Sequence, residues 1–238
     1  MGLPDPTTVQ AADTALPVPI RAVLFDFHQT LVHGGDAATW FAAGWDAAGR
    51  RTDATSDLGP DQVATAADFL DRIWEHAAVI DPESTRDEGP ERHREVFLRT
   101  VERCPGVDPD LAKALYAVMP DQWTAFEDTA PVLAALREAG VRTAIVSNVG
   151  FDLRPVIARN GIVVDALVMS YEVGSVKPDR GIFAHALESL GATAQEALMV
   201  GDSWRDDAGA AALGIRTLLL PRTDTRVRGL DAVLRLVD

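Results

Sequence analysis

The second half of this chain alternates between short apolar runs and segments of helical period, and this alternation restricts the fold more than any other feature. The apolar runs occupy residues 142–147, 166–170, 197–200 and 216–220. The segments between them repeat their apolar residues at helical spacing and end in glycine. Because parallel strands are joined by crossover helices, the pattern predicts a doubly wound α/β fold with a parallel sheet.

A further apolar run at residues 22–27 has the character of a buried parallel strand, but a long helical region separates it from the others. In that region helical periodicity covers residues 37–48, 62–79, 91–101 and 111–118. The arrangement predicts a Rossmann-like core with an all-helical cap inserted after its first strand. The expected boundaries are a loose N-terminal tail at 1–19, a core at 20–32 and 126–238, and a cap at 33–125.

Charge and cysteine content exclude several classes of partner. The formal net charge is −14, which repels a nucleic-acid backbone and an anionic membrane surface, so neither is an expected partner. No apolar run approaches the roughly 18 residues that span a bilayer. Cys104 is the only cysteine, so an intrachain disulfide is excluded and a cytoplasmic location is expected. We expect a monomer or a homodimer.

Polar residues follow the predicted strands at the edge where an open α/β sheet carries its site. Asp26 ends the first run, Ser147 and Asn148 end the next, Lys177 precedes the helix that leads to a later strand, and Asp202 follows that strand. Taken singly, each residue is also explained as a turn, a helix cap or a solvated charge. Together, a carboxylate nucleophile, a hydroxyl, a lysine and further carboxylates predict a metal-assisted phosphoryl-transfer site.

Four segments in this order, VLFDFHQTL, IVSN, VGSVKPD and MVGDSWRDD, resemble the four motifs of the haloacid dehalogenase superfamily. The resemblance covers residues 20–32 and 126–220, and the helical region lies where that superfamily carries an α-helical cap. It implies a hydrolase that acts through an aspartyl nucleophile with Mg²⁺, and most directly a phosphatase acting on a small phosphorylated metabolite.

The resemblance also implies a role for each matching residue around the metal. Asp26 would attack phosphorus and form an aspartyl-phosphate. Mg²⁺ would be held by Asp26, the backbone carbonyl of His28 and Asp202. The second acid of the last motif is either Asp206 or Asp207, and we prefer Asp206 because the residues after it then follow the usual register of that superfamily's helix.

The remaining motif residues would bind and balance the phosphate. Ser147 would donate a hydrogen bond to a phosphoryl oxygen, with the backbone around Asn148 assisting. Lys177 would offset the negative charge of the carboxylates and the phosphate. Thr30 belongs to the first motif and is included among the candidate catalytic residues.

The sequence departs from the superfamily pattern directly after the nucleophile. Phosphatases of the superfamily normally carry a second aspartate, the acid and base of the reaction, where this chain has His28, and a glycine where it has Gln29. Histidine titrates near neutral pH, so His28 is a candidate for the same proton transfers. One alternative is a dehalogenase-like or phosphonate-type hydrolase that lacks the second aspartate, and another is a degenerate member that binds a ligand or protein without turnover. Retention of Asp202 and Asp206 favours the phosphatase.

The cap is expected to select the substrate by closing over the crevice. Its candidate substrate-binding residues are Arg86, His93 and Arg94, and for this basic segment, with Arg92, a solvated helix face is the alternative. Four tryptophans are expected to form part of the cap core rather than a ligand platform: Trp40, Trp45, Trp74 and Trp123.

Overall fold

The computed structural model describes residues 18–50, 60–223 and 225–237. In chain order the elements are β1 (Ala22–Phe25), β2 (Val32–His33), α1 (Ala37–Ala47), α2 (Pro60–Asp71), α3 (Ile73–Ile80), α4 (Pro90–Val101), α5 (Pro109–Val118), β3 (Thr124–Ala125), α6 (Thr129–Glu138), β4 (Arg142–Ser147), α7 (Arg154–Arg159), β5 (Ala166–Met169), α8 (Ser170–Val173), α9 (Arg180–Leu190), β6 (Ala197–Gly201), β7 (Arg216–Leu219) and α10 (Asp231–Val237). Nearly all of the predicted N-terminal tail lies outside the described residues.

The five long strands form one parallel sheet in the order β5-β4-β1-β6-β7, which confirms the predicted doubly wound α/β fold. β1 lies at the centre, where Ala22 pairs with Arg142 of β4 and with Ala197 of β6. Side chains of β1 alternate between two apolar clusters: Val23 belongs to one and Leu24 to the other. Both faces of the sheet are therefore covered, and the carboxyl ends of the strands are left as the open edge.

Local sequence signals explain where several helices begin. The Asp36 carboxylate accepts a hydrogen bond from the Thr39 N–H at 2.7 Å and caps α1. Asp108 caps α5 in the same way and is followed by Pro109 at the first helical position. Such caps satisfy N–H groups that have no partner within the helix, and proline already has the backbone φ that the first turn requires.

The five helices α1–α5 are inserted between the two strands of a short antiparallel hairpin, in which Val32 of β2 pairs with Ala125 of β3. The chain therefore leaves the core and returns to it at one place. Sequence periodicity did not reveal this hairpin, because two residues per strand are too few to show an alternation. The domain boundaries stay a prediction.

Two predicted helical segments differ from the structure. The segment at 62–79 is divided into α2 and α3 at Arg72, whose ψ of 21° departs from helical values. A break of one residue leaves the apolar spacing almost unchanged, so periodicity does not detect it. The AGAAALG segment forms a 3₁₀ helix, Asp207–Leu213, rather than an α-helix.

Among the described residues, no helix is long and apolar enough to cross a bilayer.

The helical insertion touches the core directly beside the open edge of the sheet. A Cβ on Gly150, just after β4, would lie 2.4 Å from the His93 Cβ and 2.6 Å from the Arg86 carbonyl oxygen. Nearby, the Ser170 hydroxyl donates to the Asp87 carbonyl at 2.6 Å. Because Gly150 has no side chain, the segment that carries Arg86 and His93 can pack directly against its backbone. This contact holds that part of the cap over the strand ends.

Candidate active site

Lys177 joins two carboxylates at the open edge of the sheet. Its Nζ donates to Asp26 Oδ1 and to Asp207 Oδ1, each at 2.7 Å, with the lysine side chain 2% exposed. Burial by itself would lower the pKa of Lys177, but the charges of Asp26 and Asp207 outweigh it and raise the pKa. The other oxygen of Asp26, Oδ2, accepts from the Thr30 hydroxyl at 3.1 Å. The nucleophile candidate is thus held at both oxygens.

Three carboxylates converge at this edge: Asp26, Asp202 and Asp207 each present an oxygen within 4.8 Å of the others. Burial raises the pKa of all three carboxyl groups, with Lys177 opposing the rise at Asp26 and Asp207. At Asp202 the opposing cation is Arg222, whose Nε donates to Oδ2 at 2.9 Å. Each carboxylate is therefore partly neutralised, but the group keeps an excess of negative charge.

The structure places Asp207, rather than the preferred Asp206, in this group. Asp207 is fully buried, and its Oδ2 accepts from the Ser203 N–H at 2.9 Å. Asp206 instead accepts from the Ser203 hydroxyl at 2.7 Å and lines the neighbouring cavity. A Cβ on Gly201 would lie 2.0 Å from Asp207 Oδ2, so this glycine makes the room that Asp207 occupies. The two acids are adjacent in the sequence, so only this tertiary contact distinguishes them.

Asn148 fixes the backbone of Lys177. Its Oδ1 accepts from the Lys177 N–H at 2.7 Å, and its Nδ2 donates to the Lys177 carbonyl at 2.9 Å. This paired contact joins the loop after β4 to the loop that carries the lysine. Asn148 also lines the cavity, whereas Ser147, the last residue of β4, is buried and is not among the described residues that line it.

A cavity of about 190 Å³ lies between the strand ends and the helical insertion. Its core side carries Asp26, Asp202, Asp206 and Lys177, and its cap side includes Trp74, Arg86, Asp87 and His93. Phe151 and Trp123 add two aromatic rings whose centroids lie 5.4 Å apart. The cavity therefore has a charged floor and an aromatic wall.

The predicted substrate-binding residues of the cap separate into two sets. Arg86 and His93 line the cavity, whereas Arg94 is exposed and lies outside its lining. The His93 Nδ1 lies 3.0 Å from the Tyr116 hydroxyl, and burial lowers the pKa of His93 to about 3. Its imidazole is therefore neutral at physiological pH and suited to hydrogen bonding rather than to charge neutralisation.

The four tryptophans of this region also fall into two sets, one only inside the core and one also at the cavity. Trp40 and Trp45 are buried in the core of the helical insertion, as expected. Trp123 also belongs to this core and Trp74 packs against it, but both rings line the cavity as well. The Arg86 guanidinium lies 5.5 Å from the Trp74 ring centroid, close enough for a cation–π contact.

His28 is half-buried beside Trp123, with the two ring centroids 4.7 Å apart. Burial lowers the pKa of His28 to about 4, and the charges of Arg222 and His33 contribute. The ring is therefore neutral at pH 7, which disfavours His28 as a proton donor in the imidazolium form.

The next residue, Gln29, has a φ of 65°. Glycine adopts this left-handed backbone most readily, so the glycine that the superfamily pattern predicts at this position would also fit it.

Sequence reasoning missed Asp87. This residue belongs to a 3₁₀ turn, Thr85–Glu88, and its carboxylate is buried at the cavity. Burial raises the pKa of Asp87 to about 6; Arg86 and Lys177 oppose the rise, and Asp206 and Asp81 add to it. The turn has no periodicity and no motif, so only the tertiary contacts identify this carboxyl group.

The sequence profile of the haloacid dehalogenase-like hydrolases matches residues 20–214. The chain is 28% identical over 226 residues to haloacid dehalogenase-like hydrolase domain-containing protein 3 of Danio rerio, covering 90% of each chain. It is 33% identical over 130 residues to a ribulose-1,5-bisphosphate 5-phosphatase of Halopiger xanaduensis, covering 53% of this chain and 54% of that one. Its fold is similar to that of L-2-haloacid dehalogenase from Xanthobacter autotrophicus, with a TM-score of 0.63 and 24% identity over 92% of this chain and 84% of the other.

Proposed function

This chain belongs to the haloacid dehalogenase-like hydrolases, and we propose that it is a Mg²⁺-dependent phosphatase that acts on a small phosphorylated metabolite through Asp26. The observation that carries the proposal is the buried group formed by Asp26, Asp202 and Asp207 around Lys177. Curated relatives that hydrolyse phosphate esters by name, such as the ribulose-1,5-bisphosphate 5-phosphatase, support it. Their match extends over about half of their length.

The residues at the strand ends fit a magnesium ion. Three carboxylates have ligand oxygens within 4.8 Å of one another, and carboxylate oxygen is the ligand type that Mg²⁺ prefers. Lys177 and Arg222 supply two positive charges against three negative ones, so the group keeps a net negative charge that attracts a cation. Asp26, Asp202 and Asp207 are the proposed side-chain ligands, with the His28 backbone carbonyl as a further one. When bound, Mg²⁺ would neutralise charge on the phosphoryl oxygens.

The chain's own residues would carry out the covalent chemistry. Asp26 attacks phosphorus, so that an oxygen–phosphorus bond forms while the bond to the leaving oxygen breaks. Burial raises the pKa of Asp26, and the Lys177 ammonium at 2.7 Å favours the ionised carboxylate that attack requires. Thr30 holds the second carboxylate oxygen, and Asn148 holds the lysine backbone. The aspartyl-phosphate is then hydrolysed by water, which returns Asp26 to its starting state.

A dehalogenase is the second candidate, because position 28 carries histidine rather than a carboxylate. A halide leaves without a proton, so a dehalogenase does not require an acid at that place. The three converging carboxylates argue against it, since a haloacid brings no phosphate whose charge a metal would neutralise.

Two assays separate these functions. We expect the purified protein to release p-nitrophenol from p-nitrophenyl phosphate with Mg²⁺, to lose this activity in EDTA, and to lose it in Asp26→Asn. Halide release from 2-haloacids that persists in EDTA would support the dehalogenase instead. Inactivity in both assays would indicate a binding protein without turnover. A screen of phosphorylated metabolites then identifies the preferred substrate.

A further inference from the structure

Asp87 is a buried carboxyl group of the helical insertion that lines the same cavity as Asp26. We propose that Asp87 is the general acid that protonates the leaving oxygen and the general base that then deprotonates the attacking water. The inference rests on the proposed phosphatase function. It assigns to a cap residue the proton transfers for which position 28 was the candidate.

The Asp87 backbone is fixed to the core. Its carbonyl accepts from the Ser170 hydroxyl at 2.6 Å, and the oxygen of the same hydroxyl accepts from the Val149 N–H at 2.9 Å. Val149 itself follows Asn148, the residue that fixes Lys177. A short chain of hydrogen bonds therefore links the turn that carries Asp87 to the loop that positions Lys177, so the carboxyl group keeps a defined place in the cavity.

The groups around Asp87 suit a carboxyl group that exchanges a proton near neutral pH. From its own turn and the preceding segment, Arg86 and Asp81 face it; from the core, Asp206 and Lys177 do. The closest cation, Arg86, lies 3.5 Å from Oδ2, which is longer than the roughly 2.7–2.9 Å of a charge-assisted hydrogen bond. Burial is the main cause that raises the pKa of Asp87, and together with these charges it gives a pKa of about 6. A bound phosphate adds negative charge and favours the protonated, proton-donating form.

His28 also lines the cavity, but its ring is packed in a way that suits this role less well. Its ring lies against Trp123, and a Cβ on Gly34 would lie 3.2 Å from its Nε2. The outer nitrogen is thus directed toward the chain segment that enters the helical insertion. The packing of the ring accounts for a residue of this size at position 28 without any proton transfer.

The proposed proton transfers balance over one turnover. As Asp26 attacks phosphorus, the bond to the leaving oxygen breaks and the Asp87 proton passes to that oxygen, giving a neutral alcohol. The Asp87 carboxylate then accepts a proton from water as the water oxygen attacks phosphorus and releases Asp26. Asp87 is protonated again at the end of the cycle, and no other reactant is required.

The test is Asp87→Asn, with Glu88→Gln as the matched control, because Glu88 is the next residue of the same turn and is exposed. A poor leaving group needs the proton, whereas p-nitrophenolate leaves with little protonic help. We expect Asp87→Asn to lower kcat for an alkyl phosphate by about 100-fold or more and to slow single-turnover phosphorylation of Asp26 by p-nitrophenyl phosphate only a few-fold. Glu88→Gln should match the wild type on both esters, and Asp87→Glu should recover part of the alkyl-phosphate activity.

Equal losses of phosphorylation rate on both esters in a folded Asp87→Asn protein would overturn the proposal. So would a selective loss on alkyl phosphates in His28→Asn but not in Asp87→Asn. Circular dichroism and thermal unfolding verify that each variant is folded. If Asp87→Asn is misfolded, Asp87→Glu becomes the test, and its phosphorylation rate must then fall more with the alkyl phosphate than with p-nitrophenyl phosphate. Failure of the proposed function itself appears differently, as a wild-type protein without phosphatase activity on either ester.

Discussion

The Lys177 ammonium donates to Asp26 Oδ1 at 2.7 Å, an ion pair between residues that lie 151 positions apart in the chain. Both side chains are buried, and the lysine contacts Asp207 at the same distance. A buried cation between two carboxylates leaves little room for a different shape of head group.

We expect Lys177→Arg to lose at least about 100-fold of phosphatase kcat, although arginine is the common cation of this chain. The planar guanidinium is larger than an ammonium and cannot occupy a site enclosed by Asp26 and Asp207 without displacing one of them. Lys113→Arg is the matched control, because its ion pair with Asp110 is exposed. Initial rates of all three proteins at saturating Mg²⁺ provide the test, and a Lys177→Arg protein with most of the wild-type rate would remove the lysine from the proposed mechanism.

Substitution of the last-motif acids should distinguish the metal group from its surroundings. Asp202→Asn and Asp207→Asn should each raise the Mg²⁺ concentration required for half-maximal activity by 10-fold or more, because a neutral amide is a poor ligand for a hard cation. Asp206→Asn should raise it much less, since Asp206 bonds to Ser203 beside the group. Mg²⁺ titrations of the three variants measure this. A severe effect in Asp206→Asn and a mild one in Asp207→Asn would restore the assignment preferred from the sequence.

Gly150→Ala should disturb the contact between the helical insertion and the core. The added methyl group would lie 2.4 Å from the His93 Cβ and 2.6 Å from the Arg86 carbonyl, so the cap segment must shift. We expect a destabilisation of about 1–3 kcal/mol and a larger loss of kcat/KM than stability alone explains. Gly89→Ala is the control, because Gly89 also lies outside the left-handed φ region and its Cβ would meet nothing within 4 Å. Equal kinetic effects of the two substitutions would argue against cap closure at Gly150.

The pKa of Asp87 predicts a pH dependence of stability. The folded-state pKa of about 6 lies above the ordinary value of 3.8, so the folded protein holds the proton more tightly than the unfolded chain. The contribution of Asp87 to stability therefore falls as pH rises from about 4 to about 6 and changes no further above that range. Asp87→Asn should remove this fall and raise the free energy of unfolding by about 3 kcal/mol at pH 7, with little effect at pH 4.

Denaturant unfolding at the two pH values measures the difference. A purely structural ion pair with Arg86 predicts the reverse sign, a less stable Asp87→Asn protein at pH 7. Greater stability combined with lost alkyl-phosphate activity would identify Asp87 as a group kept for chemistry rather than for folding.

The sequence by itself determined the fold class and the order of the motifs. Strand and helix character, N-terminal caps such as Asp36 and the glycines that end helices are set by neighbouring residues, so they can be recognised locally. The rule that polar groups meet at the carboxyl ends of parallel strands then predicts that Asp26, Lys177 and Asp202 lie at one edge of the sheet. Family membership followed from the same motifs.

Only the tertiary structure decided which side chains enter the site and in what charge state. Asp206 and Asp207 are adjacent, and the direction of each depends on the 3₁₀ backbone and on the space beside Gly201. Asp87 and Trp74 reach the cavity because the helical insertion folds back over the core, a contact between segments far apart in the chain. Burial and the charges of distant groups shift the pKa of a side chain, and neither is encoded in the residues next to it.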